Sequence, residues 1–317
     1  MLAFIGFLLL GFVLLYAGGE ALVRGAGNIA LRSGMSPFIV GMTIVAFATS
    51  SPELAVSMQG AVAGVDDLAI GNVVGSNIAN IGLVLGICAL IRPMEVQARI
   101  LRLDLPWLIF VSLLLVAFLN DGRISRPAGL VFLVGLGVFL FWNIQVARRE
   151  IETEQVRLEF ESAASRTERS SAADWLLIFG GVVALVLGGW AFVHGGVGLA
   201  TSLGVSPALI ALTVIAIGTS LPELATSIVA AVKGNADIAV GNVVGSNFFN
   251  ILAVLGLTAV FHPLDRGGIT MLDLVTMMLF AMVLVPLILT RNRIGRFEGF
   301  SLVVGYVGYI GWLAQAG

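Results

Sequence analysis

Two glutamates, Glu53 and Glu223, stand beside prolines in matching hexapeptides, TSSPEL at Thr49–Leu54 and TSLPEL at Thr219–Leu224. Each lies inside an apolar stretch, where an ionisable side chain is expensive and signals function by default. Pro52 has no N–H, so the carbonyl of Ala48 loses its helical partner, and Pro222 does the same to the carbonyl of Gly218. Thr49 and Glu53 are four apart and share a helix face. A helix broken there offers hydroxyls, bare carbonyls and a carboxylate together. Those are hard oxygen ligands, suited to Na⁺ or Ca²⁺ and unsuited to soft metals.

A second motif follows each glutamate. GNVVGSN at Gly71–Asn77 returns unchanged at Gly241–Asn247. Asn72, Ser76 and Asn80 recur every four residues and form one polar stripe, matched by Asn242, Ser246 and Asn250. Gly71 with Gly75, and Gly241 with Gly245, make small-xxx-small faces that permit close backbone approach. For Asn72 and Asn242, ion ligation and simple hydrogen-bonded gluing of helices stand as equal readings. For Asn80 and Asn250, nearer midplane, ligation is the expectation.

By this reading only Glu53 and Glu223, of 19 acidic residues, fall deep inside spans, and no basic residue lies at their depth. Each must therefore be protonated or compensated by a bound cation. Glu20 with Arg24 reads as an ion pair at a helix end. Asp67 and Asp237 open their helices and read as N-terminal caps. His194 and His262, lacking a sequence-evident carboxylate partner, give little support for proton chemistry.

The elements that carry these residues are membrane spans. The chain is 58% hydrophobic and 11% charged, with a mean hydropathy of +1.03; soluble domains sit near 45–50% and about 25%. Ten spans are predicted, at about 2–23, 36–63, 68–91, 103–120, 127–147, 174–199, 206–232, 237–260, 270–290 and 297–315. Residues 2–23 lack a basic flank and have an internal counterpart at 174–193, so they read as a helix rather than a signal peptide. Cys88, the single cysteine, reads as packing.

Residues 36–86 align without a gap on residues 206–256 at a constant offset of 170, with about half the positions identical. Five spans per half is an odd number, so the second copy enters the membrane from the other side. The expected architecture is an all-α membrane protein of ten transmembrane helices in two inverted-topology five-helix repeats, 1–147 and 174–317, joined by a connector at 148–173. Inverted repeats recur in secondary transporters, with the substrate at midplane between them. Fourteen of the 17 Lys and Arg residues fall in one set of alternate loops. The positive-inside rule makes those loops cytoplasmic and places both termini outside.

The connector mixes Arg and Glu and reads as solvated, too short for a folded regulatory domain. EF-hand, nucleotide-binding glycine and Cys/His metal patterns are missing from the sequence, so neither a cofactor nor an ATP-driven pump is indicated. The expected partners are cations and the lipid bilayer, without nucleic acid or an obligate protein partner. An enzyme such as an intramembrane acid protease fits poorly, since no peptide-binding element is evident beside the two glutamates.

The paired motifs, G-x-T-x-x-A-x-x-T-S-x-P-E-L then G-N-x-x-G-S-N-x-x-N, closely resemble the alpha repeats of the cation/calcium antiporter superfamily, and within it the prokaryotic sodium/calcium exchangers of the inner membrane. The resemblance implies exchange of Na⁺ for Ca²⁺ at four clustered midplane sites. It implies ligands from Thr49, Ser50, Glu53, Ser76 and Asn80, and from Thr219, Ser220, Glu223, Ser246 and Asn250, with carbonyls of Ala46 and Ala216. It further implies that the first and sixth spans slide as a gate. Potassium-dependent relatives carry Asp where this chain has Asn250, which argues against a K⁺ requirement. Calcium/proton exchangers of the superfamily carry Glu within the G-N motif, in place of Gly75-Ser76 and Gly245-Ser246. A Ca²⁺/H⁺ exchanger is the alternative, and a passive cation channel a weaker one.

Overall fold

The computed structural model describes residues 1–33, 35–97, 99–151, 171–204, 218–289 and 292–316, with the side chains of 147–151 and 316 set aside. Eleven helices carry the argument. They are α1 (Leu2–Ser33), α2 (Pro37–Thr49), α3 (Ser51–Val62), α4 (Asp66–Ile91), α5 (Ile100–Asn120), α6 (Arg126–Ile151), α7 (Ser171–Ser202), α8 (Leu221–Val232), α9 (Ala236–Phe261), α10 (Met271–Leu289) and α11 (Arg296–Ala316). Among the described residues, eight are long and apolar enough to cross a membrane. The bent pair α2–α3 makes a ninth if counted as one span. Of the predicted span at 206–232, residues 206–217 lie outside the described residues and α8 is the described part. The chain is thus all-helical and multi-pass.

Local sequence explains where the broken elements bend. Ser36 caps α2 by accepting a hydrogen bond from the Ile39 N–H, and Pro37 opens its first turn. The path then breaks at Ser50 (φ −83°, ψ 3°), so that α2 and α3 diverge by 41°. Ser220 breaks the second copy with nearly the same geometry (φ −87°, ψ 6°). Both breaks sit two residues before a proline, where the missing N–H and the ring open the preceding turn. Beyond α3 and α8 the chain reverses through Gly64 (φ +73°) and Gly234 (φ +84°), the left-handed conformation that favours glycine.

α1 and α7 lie antiparallel along a glycine seam. Gly11, Gly18 and Gly25 on α1 and Gly181, Gly188 and Gly195 on α7 recur every seven residues along the contact. Gly18 meets Gly181 and Gly188 meets Gly11, whereas Gly25 packs on Asp174–Ile178 and Gly195 on Phe4–Leu8. A Cβ at Gly18 would meet the Gly181 carbonyl at 2.8 Å, and one at Gly25 would meet the Asp174 carbonyl at 2.8 Å. Gly18 and Gly188 are therefore close-packing points. Gly19 packs instead toward Ala225–Thr226 of α8. α1 runs ten residues past its predicted end because its last turns stay tied down. Asn28 Nδ2 donates to Asp174 Oδ1 at 2.8 Å and Arg32 pairs with Asp174 at 2.9 Å. Glu20 pairs with Arg24 at 2.5 Å, as expected, and also with Lys233 beyond α8.

Four two-residue strands, unforeseen in the sequence, tie the helix ends. β1 (Met94–Glu95) pairs antiparallel with β4 (Arg293–Ile294), and β2 (Arg123–Ile124) with β3 (Leu264–Asp265). The expected caps at Asp67 and Asp237 are not formed. Asp67 accepts from the Gly268 N–H at 2.8 Å and Asp237 from Gln97 at 3.1 Å, so both acids fasten loops from the other half of the chain. His262, read as unpartnered, lies 3.7 Å from Asp66.

The seam gives a direct check. Gly18→Leu, which forces a side chain into backbone, should lower the melting temperature in detergent, a loss of about 1–3 kcal/mol. Gly27→Leu, whose added Cβ meets nothing within 4 Å, should leave it nearly unchanged. Equal effects at the two positions would mean the seam contributes no specific packing.

Candidate ion-binding site

Glu53 and Glu223 each fall in the first turn of the helix that follows a break, α3 and α8. Both are fully buried, and Ser50, three residues before Glu53, hydrogen-bonds Glu223. Around them the helices are brought near by small residues. A Cβ at Gly245 would sit 2.7 Å from the Ala46 Cβ, and Gly241 packs equally close on Phe38 and Met42. That approach lays the polar stripe of α9 against the break of α2–α3.

The first-repeat side of the site is well bonded. Ser50 Oγ donates to Glu223 Oε1 at 3.3 Å. Thr49 Oγ1 lies 3.1 Å from Asn242 Oδ1 and 3.4 Å from Ser246 Oγ. The Ala46 carbonyl accepts the Ser50 N–H at 2.9 Å and faces the Thr49 hydroxyl at 3.3 Å. The second-repeat side is described only from residue 218 onward. Ser220 is buried with its hydroxyl unpartnered, and Thr219 lines a cavity of about 370 Å³ with Pro52, Pro222, Trp190 and His194. Ala216 lies outside the described residues.

Unpartnered buried atoms define the chemistry. Among the described residues, both oxygens of Glu53, Oε2 of Glu223, and Oδ1 of Asn80 and Asn250 are sealed from solvent without a hydrogen-bond partner. A buried oxygen left so is costly, and a buried carboxylate more so. These acceptors come from repeat-related positions, and among the described residues the partners of the two glutamates include no cationic side chain. Carboxylates, amide oxygens and hydroxyls gathered in a dry pocket form a hard-cation donor set.

The site also departs from the sequence reading. Asp104, Asp174 and Asp273 are buried as well. Unlike the glutamates, two of them face a cationic side chain: Asp104 lies 3.6 Å from Arg99 and Asp174 pairs with Arg32 and accepts from Asn28, while Asp273 accepts from Thr270 and Tyr309. Asn72 and Asn242 bind helices together. Asn72 Nδ2 donates to the Glu53 carbonyl at 3.2 Å and Ser57 Oγ at 3.1 Å, and Asn242 Nδ2 to Ser227 Oγ at 3.0 Å. Ser76 is buried on the stripe. Sequence reasoning missed Ser57, Ser227, Asn77 and Asn247 as bonding partners. The unchanged heptapeptide contained both asparagines, but Asn77 is one residue off the 72/76/80 stripe and so fell on a different helix face. It also missed the π-helical turns that begin at Asn80 (Asn80–Leu85) and span Asn250 (Phe249–Leu255); such turns are frequent at functional sites.

The fold and site together define a multi-pass membrane protein with two buried glutamates on repeat-related helices. The family model described as sodium/calcium exchanger protein matches residues 3–145 and 173–315. The chain belongs to that family. It is 40% identical to the putative antiporter CaxA of Alkalimonas amylolytica over 96% of each chain. It is 36% identical to the inner membrane protein YrbG of Escherichia coli strain K12 over 99% of this chain and 97% of that one. A solved structure of the sodium-calcium exchanger NCX_Mj, soaked with 10 mM Na⁺ and zero Ca²⁺, aligns with a TM-score of 0.84 at 30% identity, covering 98% of each chain.

An uncompensated buried carboxylate destabilises the empty site. Glu53→Gln should therefore raise the melting temperature measured in chelator, and abolish the further rise that Ca²⁺ gives the native protein. A variant that melts lower in chelator, yet keeps its Ca²⁺-dependent rise, would contradict the assignment.

Proposed function

We propose that the protein is a secondary active antiporter that exchanges Na⁺ for Ca²⁺ across the cell membrane by alternating access, without K⁺. The observation that carries this reading is the pair Glu53 and Glu223. They are buried together on kinked, repeat-related helices, lack a cationic partner among the described residues, and stand among unpaired oxygens. The ligands are Glu53, Glu223, Ser50, Ser220, Thr49, Thr219, Ser76, Ser246, Asn80 and Asn250, with carbonyls of Ala46 and Ala216. Competition couples the ions, because one carboxylate pair cannot hold Ca²⁺ and a full set of Na⁺ at once. Crossing with the pair empty would carry two bare charges through the bilayer, which traps the unloaded carrier on one side. With Asn250 neutral the site has two formal negative charges, a match for one Ca²⁺ or for Na⁺ ions with neutral oxygens. If three Na⁺ exchange for one Ca²⁺, one net charge moves per cycle, worth about 2.3 kcal/mol per 100 mV.

The topology in this proposal is ten spans in two inverted halves, 1–147 and 174–317, joined by the connector 148–173, with both termini outside. Two features support it. α1 and α7, equivalent in the repeat, run antiparallel along their glycine seam. The strand pairings hold β1 beside β4 and β2 beside β3. Counting α8 as part of a crossing gives an even number of spans within each pair, as ends on one side require. In this frame the cavity at Thr219 opens along the half of α7 remote from the Arg32–Asp174 pair, toward the outer face. Gly19 against α8, with Glu20 bound to Lys233, closes the cytoplasmic half.

The test is ⁴⁵Ca²⁺ uptake into proteoliposomes under imposed Na⁺, K⁺ or H⁺ gradients. A Na⁺ gradient should drive uptake, a K⁺ gradient should not, and Glu53→Gln or Glu223→Gln should abolish it. Uptake driven by a pH gradient without Na⁺ would replace this reading with Ca²⁺/H⁺ exchange. Near-normal Na⁺-driven uptake in either glutamate variant would remove the site assignment.

A further inference from the structure

We infer that Asn77 and Asn247 are positioning residues whose amides fix which end of Asn250 and Asn80 faces the transported cation. The inference rests on the exchanger reading above. A primary amide is nearly symmetric in shape but opposite in function at its two ends. Its oxygen can ligate a cation, whereas its NH₂ repels one. A ligand asparagine in a buried site therefore needs something to set its sense, since a half-turn about the last bond turns a ligand into an obstruction without changing its volume.

The sense is set by a chain of hydrogen bonds anchored on the backbone. The Asn247 carbonyl can only accept, and it accepts from Asn77 Nδ2 at 3.4 Å. Asn77 Nδ2 also faces the Met277 sulfur at 3.8 Å, another acceptor. With its nitrogen committed, Asn77 presents Oδ1 to Asn250, whose Nδ2 donates to it at 3.0 Å. Asn250 Oδ1 is left as the unpaired end. The mirror contact has Asn80 Nδ2 donating to Asn247 Oδ1 at 3.1 Å, which leaves Asn80 Oδ1 unpaired; Asn247 Nδ2 has no partner among the described residues, so the backbone anchor belongs to the Asn77 side. All four side chains are buried, so water cannot substitute for a lost partner. Each ligand amide is thus held by the half of the chain it does not belong to. α3, which carries Glu53, packs on the turn bearing Asn250, and α8, which carries Glu223, packs on the turn bearing Asn80. The oriented oxygens therefore accompany the carboxylates from the opposite repeat. Outer partners of this kind typically change metal affinity about 10–100-fold when removed.

The test separates orientation from packing by using a side chain that has no wrong end. A carboxylate presents oxygen either way round, so in an Asn250→Asp background the sense of residue 250 no longer depends on Asn77. Equilibrium ⁴⁵Ca²⁺ binding to the purified full chain is measured with and without Asn77→Ala, in the native and Asn250→Asp backgrounds. In the native background Asn77→Ala should raise the half-saturating Ca²⁺ concentration about tenfold. In the Asn250→Asp background the shift should fall below twofold. Equal shifts in both backgrounds would mean that Asn77 only packs, and a native shift below twofold would also overturn the inference. Failure of the native protein to bind Ca²⁺ would instead remove the exchanger reading, and the inference with it. Should Asn77→Ala not fold, Asn247→Ala in the native and Asn80→Asp backgrounds reads the same cycle from the other side.

Discussion

Everything in this molecule answers to one electrostatic constraint: two carboxylates held together in a dry pocket inside a membrane protein. Two such charges, without a cationic partner among the described residues and with three of their four oxygens unbonded there, are unstable unless something positive sits with them. The surrounding structure keeps them buried, and among the described residues no basic side chain partners them. The proline breaks at Ser50 and Ser220 place each glutamate in the first turn of a new helix. The glycines of α9 bring its polar stripe into reach of Thr49. The glycine seam between α1 and α7 lets two long helices lie against each other beside this core. Acids elsewhere sharpen the contrast, because Asp104 faces Arg99, Asp174 faces Arg32, and Asp273 accepts from Tyr309.

Much of this was legible in the sequence, for physical reasons. Acids in apolar stretches are rare enough to single out Glu53 and Glu223. Prolines beside them located the breaks to within two residues. Span boundaries fell close to the helix ends wherever polar residues stop at the membrane edge. They failed on α1, whose last turns are held by Asp174 from a distant part of the chain. No local pattern could announce that partner.

The site was legible by residue type rather than by role. The stripe Asn72, Ser76 and Asn80 was visible from helical spacing, but whether an amide ligates or bonds to its neighbours depends on what faces it. Asn72 turned out to hold α4 to α3 through the Glu53 carbonyl and Ser57. Asn77 looked like one more residue of a repeated motif, and only the contact with Asn250 of the other half gives it a task. Asp67 and Asp237 sit where helix caps usually sit, yet tertiary partners took them instead. Cross-half contacts are the information a single-chain pattern lacks.

The central claim is that one cation site lies between the two glutamates. The most direct measurement is the crystal structure of the protein soaked in Ca²⁺. The account predicts a Ca²⁺ ion bonded to both Glu53 and Glu223 carboxylates at about 2.3–2.6 Å, with neutral oxygens completing the shell. Carboxylates bridged directly to each other through a shared proton, with the ion bound elsewhere or not at all, would contradict it.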